Sequence, residues 1–86
     1  MKLRRTERFL RAFRALPPSV RLKVEKALRL LAANPRHPSL RLKKIQATER
    51  IWEARVDRNH RLTLEMGEGC CLLRNVGKHD QTLGSP

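Results

Sequence analysis

Between Asn34 and Ser39 the stretch NPRHPS separates two kinds of hydrophobic order. Before it apolar residues recur every three or four positions, and after it they alternate with polar ones. A chain with that change of period is neither a pure helical bundle nor a pure sheet. It is expected to fold as an α+β domain, a helical half followed by a stranded half.

The first half opens with a short strand-like piece. Thr6 then stands where it can cap a helix whose buried face is Phe9, Leu10, Phe13 and Leu16. Pro17 and Pro18 break that pattern, since proline cannot continue a helix and restricts the residue before it. Ser19 is the candidate cap of a second helix. Its stripe is Val20, Val24, Ala27, Leu28 and Leu31, and Asn34 and Pro35 stop it. Arg8, Arg11, Arg14, Arg21, Lys23, Lys26 and Arg29 fall on the opposite faces, so the pair reads as an amphipathic hairpin.

In the second half strands are expected at about residues 40–45, 50–56, 59–66 and 70–76. DRN and GEG supply turns between the last three, which implies an antiparallel meander. Alternation sorts the faces. Trp52, Ala54 and Val56 share one side of their strand with Glu53 and Arg55 on the other, and Leu62, Leu64 and Met66 lie opposite Arg61, Thr63 and Glu65. The expected architecture is an N-terminal helical hairpin packed on one face of a small antiparallel sheet. The sheet's other, charged face is where function is to be sought.

With 86 residues the chain has room for one core, so residues 1–86 form a single domain. Phe9, Phe13 and Trp52 are its only aromatics, which leaves burial mainly to aliphatic side chains. The formal charge of +12 is far beyond what solubility requires of a small domain. All of the excess lies in residues 1–44, while residues 45–86 balance. Such asymmetry points to a polyanionic partner, either nucleic acid or an acidic protein. Cys70 and Cys71 are adjacent and point to opposite faces of a strand, so they cannot staple the fold, and a reducing cytoplasm is the expected setting. No apolar stretch reaches the roughly 18 residues that span a bilayer, so no membrane role is expected.

At this point the chain resembles a family. The order of strand, helical hairpin and meander, with RIWEARVDRNHRLTLEM followed by LLRNVGKHDQTL, is similar to the RelE/ParE superfamily of bacterial toxins from type II toxin–antitoxin systems. The element order spans nearly the whole chain, and the specific fragments lie between Leu40 and Leu83. In the RelE branch the resemblance implies a metal-independent endoribonuclease, an mRNA interferase that cuts messenger RNA on the ribosome and inhibits translation. In the ParE branch it implies a DNA gyrase inhibitor that acts by binding. A non-catalytic RNA-binding member is a third reading. Both branches imply a cognate antitoxin, here one with an acidic segment, and a toxin–antitoxin hetero-oligomer. No cofactor is implied.

Metal-independent RNA cleavage needs a proton acceptor, fixed cations and a proton donor. Arg61 matches the family's strand arginine, and a guanidinium can hold two phosphate oxygens; the other reading is an arginine that only pairs with Glu53 or Glu65. His79 matches a family position held by His or Arg, and an imidazole exchanges protons near neutral pH. Gly77 is expected to let the strand end turn back over the sheet. Arg55 fits a phosphate role, and Glu53 is either a general base or an ion-pair partner. Lys43, Lys44, Arg58, Arg74 and Lys78 are the candidate RNA-binding cations. Trp52 is assigned to the core and His60 to a structural place near a turn. His79 and Asp80 lack the further ligands that a metal phosphohydrolase needs. The chain departs from the family in having no tyrosine, which some RelE-type ribonucleases use. It also stops soon after Leu83, so no substantial C-terminal helix is expected.

Overall fold

The computed structural model describes all residues, 1–86. Strand β1 (Lys2–Arg5) leads into helix α1 (Glu7–Arg14), and helix α2 (Pro18–Ala33) follows. Strands β2 (Lys43–Lys44), β3 (Ile51–Arg55), β4 (His60–Gly67) and β5 (Cys70–Lys78) come next, and a short helix α3 (His79–Gly84) ends the order. The five strands form one sheet in the order β1-β5-β4-β3-β2.

Thr6 caps α1 as its sequence predicts: its Oγ1 accepts from the Phe9 N–H at 3.0 Å. The same hydroxyl donates to the Leu73 carbonyl at 2.9 Å, which fixes the start of the helix against β5. The cap of α2 is corrected. Pro17 holds that position, Pro18 opens the helix, and Ser19 lies inside it. Proline's φ already suits a first turn whose N–H groups have no intrahelical acceptor.

The meander is present, with β2·β3, β3·β4 and β4·β5 all antiparallel. Its outer strand is shorter than the pattern predicts. Leu40 ends a 3₁₀ turn (Pro38–Leu40) that buries its side chain, and Arg41 has φ 45°, so only two residues remain to pair. At the opposite edge β1 runs parallel to β5, from Lys2↔Cys70 to Arg5↔Leu73, so the sheet is mixed. In the β4–β5 turn Gly69 has φ 63°, a left-handed conformation open to glycine without steric cost.

Both helices pack on one face of the sheet. The core joins Phe9, Val20, Val24, Ala27, Leu28 and Leu31 to Ala54, Leu62, Leu64, Cys71, Leu73 and Val76. Trp52 packs against this core from its margin. Met66, assigned to the same face, is 37% exposed, because it lies towards the end of β4. Cys71 is buried and Cys70 half-buried, as alternation requires, and burial, aided by the neighbouring thiol, pushes the Cys71 pKa up to about 12.

Alternation in β5 breaks once. Thr63 pairs with Asn75 but Leu64 pairs with Leu73, so Arg74 is an extra residue in a bulge. Arg74 and Asn75 both turn to the outer face, and Val76 returns to the core. There they meet the C-terminal segment: Asn75 Nδ2 donates to the Ser85 carbonyl at 3.1 Å and Arg74 Nε to the Pro86 carbonyl at 3.2 Å. Thr63 Oγ1 donates to the same Pro86 oxygen at 3.0 Å, and Arg8 to the Ser85 carbonyl. The outer face is therefore not wholly open. Its end beside α3 is roofed, and Thr63 is fully buried.

Candidate functional site

A hollow of about 730 Å³ opens where the β3–β4 turn meets the start of α3. Its lining contains no hydrophobic residue: Arg58 and Asn59 come from the turn, His60 and Arg61 from β4, Lys78 from β5, and His79, Asp80 and Gln81 from α3. Three fixed cations face one carboxylate, so the hollow favours an anion.

Asp57 builds the turn. Its Oδ1 accepts from the backbone N–H groups of Asn59 at 2.9 Å and His60 at 2.8 Å, and lies 2.9 Å from His60 Nδ1. Its Oδ2 meets Lys23 Nζ of α2 at 3.3 Å. Burial works against ionisation here, but the hydrogen bonds from His60, Asn59 and Lys23 outweigh it and lower the Asp57 pKa from 3.8 to about 2. With the folded value below the unfolded one, Asp57 stabilises the fold fully above pH 4 and loses that contribution as pH falls towards 2. Wild type and Asp57→Asn are therefore expected to differ in urea midpoint at pH 5 and to converge by pH 2.

Arg61 is held from one side. Its Nη1 donates to the carbonyls of Asp57 at 2.6 Å and His60 at 2.9 Å, and Nε lies 4.0 Å from Glu53 Oε1. Nη2 has no protein partner, and no buried side-chain nitrogen or oxygen lacks one, so Nη2 keeps an edge open to solvent. A guanidinium fixed along one edge and free at the other is preorganised for an oxyanion.

β5 runs past Gly77 to Lys78, and from His79 the chain turns back over the sheet as helix α3, one residue later than expected and in helical form. Helix α3 has six residues and ends at Gly84. The His79 N–H donates to the Asn59 carbonyl at 2.8 Å, which joins this helix to the turn, and its Nδ1 lies 2.9 Å from Asp80 Oδ1. Gly77 serves this junction through its size, because its φ is not positive. A Cβ there would lie 2.9 Å from Thr82 Oγ1, and Thr82 is the buried residue of α3. Gly77→Ala is expected to displace α3 at a cost of about 1–3 kcal/mol, read as a lower denaturation midpoint and faster amide exchange at residues 79–84.

The other sequence-derived candidates are dispersed. Glu53 is buried, with Oε1 between Arg61 Nε and Lys43 Nζ at 3.9 Å, so it reaches the hollow only through Arg61. Arg55 borders a different hollow, with Lys23 and Lys26 of α2. Arg74 is engaged by Glu65 Oε2 at 2.6 Å and by the C-terminal segment, which removes it from the free cations. Lys43 and Lys44 are exposed on the edge strand, away from the hollow's walls, whereas Arg58 and Lys78 line it. Asp57 and His60 were missed as a pair. Their spacing, an acidic residue three positions before a histidine across a turn, was visible, but alternation directed attention to Arg61.

Comparison of the sequence with protein-family models finds no match, and comparison with curated proteins finds none. Solved structures do match. The chain has the fold of the RelE-type toxins, a helical hairpin against a mostly antiparallel five-stranded sheet. It is similar to YafQ from E. coli strain BL21(DE3), with a TM-score of 0.78 at 13% identity over 93% of this chain and 94% of that one. It also resembles a YoeB/ParE toxin from Agrobacterium tumefaciens, at 0.75 and 16% over 92% and 99%. A chain of the intact E. coli RelBE toxin–antitoxin complex aligns at 0.71 and 23% over 91% and 95%.

Proposed function

We propose that this chain is the toxin of a toxin–antitoxin pair and cleaves ribosome-bound messenger RNA with its own side chains. The observation that carries the reading is the polar hollow that brings Arg61, Lys78 and His79 together on a fold shared with RelE-type toxins. The open edge of Arg61 grips the scissile phosphate, Lys78 and Arg58 hold its neighbours, and His79 gives a proton to the leaving oxygen.

The basic face of α1 and α2 lies away from the hollow's walls and docks on ribosomal RNA. The same cationic surface receives an antitoxin with an acidic segment, giving a hetero-oligomer in the cytoplasm. RelE is solved with its antitoxin in the intact RelBE complex, which supports that partnership. Induced expression in growing bacteria, followed by mapping of transcript 5′ ends, tests the reading. New ends inside translated messages are expected. Intact messages with arrested replication would replace it with a gyrase-binding toxin.

A further inference from the structure

We infer that His60, oriented by Asp57, is the general base of this site; the assignment rests on the endoribonuclease reading above and names a residue for its unfilled role. Glu53 is a poor occupant of that role, since it is buried between Lys43 and Arg61 and does not line the hollow. His60 lines the hollow itself.

The ring's chemistry follows from its partner. Asp57 is ionised at neutral pH and can only accept hydrogen bonds, so the His60 nitrogen 2.9 Å away, Nδ1, carries the proton. The neutral ring then presents a lone pair at Nε2. That atom has no protein partner, and because no buried side-chain nitrogen lacks one, it is open to solvent. Two backbone N–H groups and Lys23 hold the carboxylate in place, so Asp57 acts as a positioning residue that fixes the tautomer and stabilises the imidazolium. His60 is also the register partner of Lys78, next to His79, and His79 bonds through its N–H to the Asn59 carbonyl. Two imidazoles and three cations thus meet where the β3–β4 turn and the start of β4 lie against the β5–α3 junction.

The substrate class is a single-stranded RNA whose ribose 2′-hydroxyl lies beside Nε2. His60 takes the hydroxyl proton as the 2′-oxygen bonds to phosphorus. The bond from phosphorus to the 5′-oxygen breaks, and that oxygen takes a proton from the His79 imidazolium. The products are a 2′,3′-cyclic phosphate and a 5′-hydroxyl, and exchange with water resets both rings.

The test uses the full chain in a bacterial cell-free translation mixture with a defined reporter message. Single-turnover cleavage is followed by primer extension. His60→Ala and the bulkier His60→Gln are each expected to cut about 10²–10⁴ times more slowly while remaining folded at the assay temperature, though melting lower than the wild type for want of the ring's bond to Asp57, with added imidazole restoring part of the His60→Ala rate. Asp57→Asn keeps an acceptor for the turn but removes the charge, so the rate falls about tenfold or more and ¹⁵N shifts show the ring no longer held in one tautomer. A folded His60→Ala that cuts within threefold of wild type overturns the assignment alone. So do ¹⁵N shifts that place the proton of the neutral ring on Nε2, a measurement independent of cleavage. A wild-type chain that leaves the message intact overturns the ribonuclease reading and this assignment together.

Discussion

Arg61→Ala is expected to lower message cleavage by about 10²–10³-fold, the loss that follows removal of one preorganised oxyanion donor. The geometry makes the lysine variant informative. Arg61 uses Nη1 on the carbonyls of Asp57 and His60 and keeps Nη2 free, so in the proposed reaction one planar group would both anchor the turn and meet the phosphate. A lysine ammonium can supply the charge but not both tasks from fixed positions. Arg61→Lys should therefore recover less than a tenth of the wild-type rate. Single-turnover cleavage reads the defect, and urea denaturation of the same variants separates it from loss of the turn's anchor. Cleavage by Arg61→Ala at the wild-type rate would remove the phosphate role and leave an arginine that only supports the turn.

The second large effect is on stability. Phe9→Ala should cost about 3–5 kcal/mol, measured as a fall in the urea midpoint at constant slope. Phe9 is 1% exposed and its ring stacks near Phe13, with centroids 6.4 Å apart. Helix α1 has only eight residues, too few to hold itself in water, so its docking depends on this side chain. A domain of this size has a total stability of about 5–15 kcal/mol, so the variant is expected to be partly unfolded at growth temperature. Leu22→Ala on α2, at a position 67% exposed, should shift stability by less than about 0.5 kcal/mol and serves as the control.

These two sites show what was legible before the structure. Phe9 was plain in the sequence, because helical periodicity reports which side of an element meets the core, and the hairpin-on-sheet arrangement followed from periodicity and turns. The parallel pairing of β1 was not legible, since residues 2–5 and 70–73 carry no local signal of each other. The bulge at Arg74 was hidden for a related reason. Alternation in β5 reads as regular until the register with β4 reveals the extra residue.

The site was legible in part. Arg61, His79, Arg58 and Lys78 do line one hollow, but chain order could not show that the β3–β4 turn and the start of α3 share its walls. Alternation did put Glu53 on the same face as Arg61, its ion-pair partner, but it could not place Arg74, which a bulge turns towards Glu65 and the C-terminal segment. His60 stands beside the turn, as expected, but chain order gave no sign that it lines the hollow. At the first residue of a strand the neighbouring turn, here through Asp57, can redirect a side chain.

The pairing of β1 with β5 also sets a timetable. Residues 2–5 leave the ribosome early, yet their partner, residues 70–73, emerges more than sixty positions later. Thr6, which starts α1, likewise waits for the carbonyl of Leu73. During synthesis the helical half has no sheet to close on, and the hollow cannot exist until residues 57–81 have all been made. On the proposed function a nascent chain would therefore be inert towards the ribosome producing it, and the interval before closure leaves the apolar faces of its helices without the sheet that later covers them.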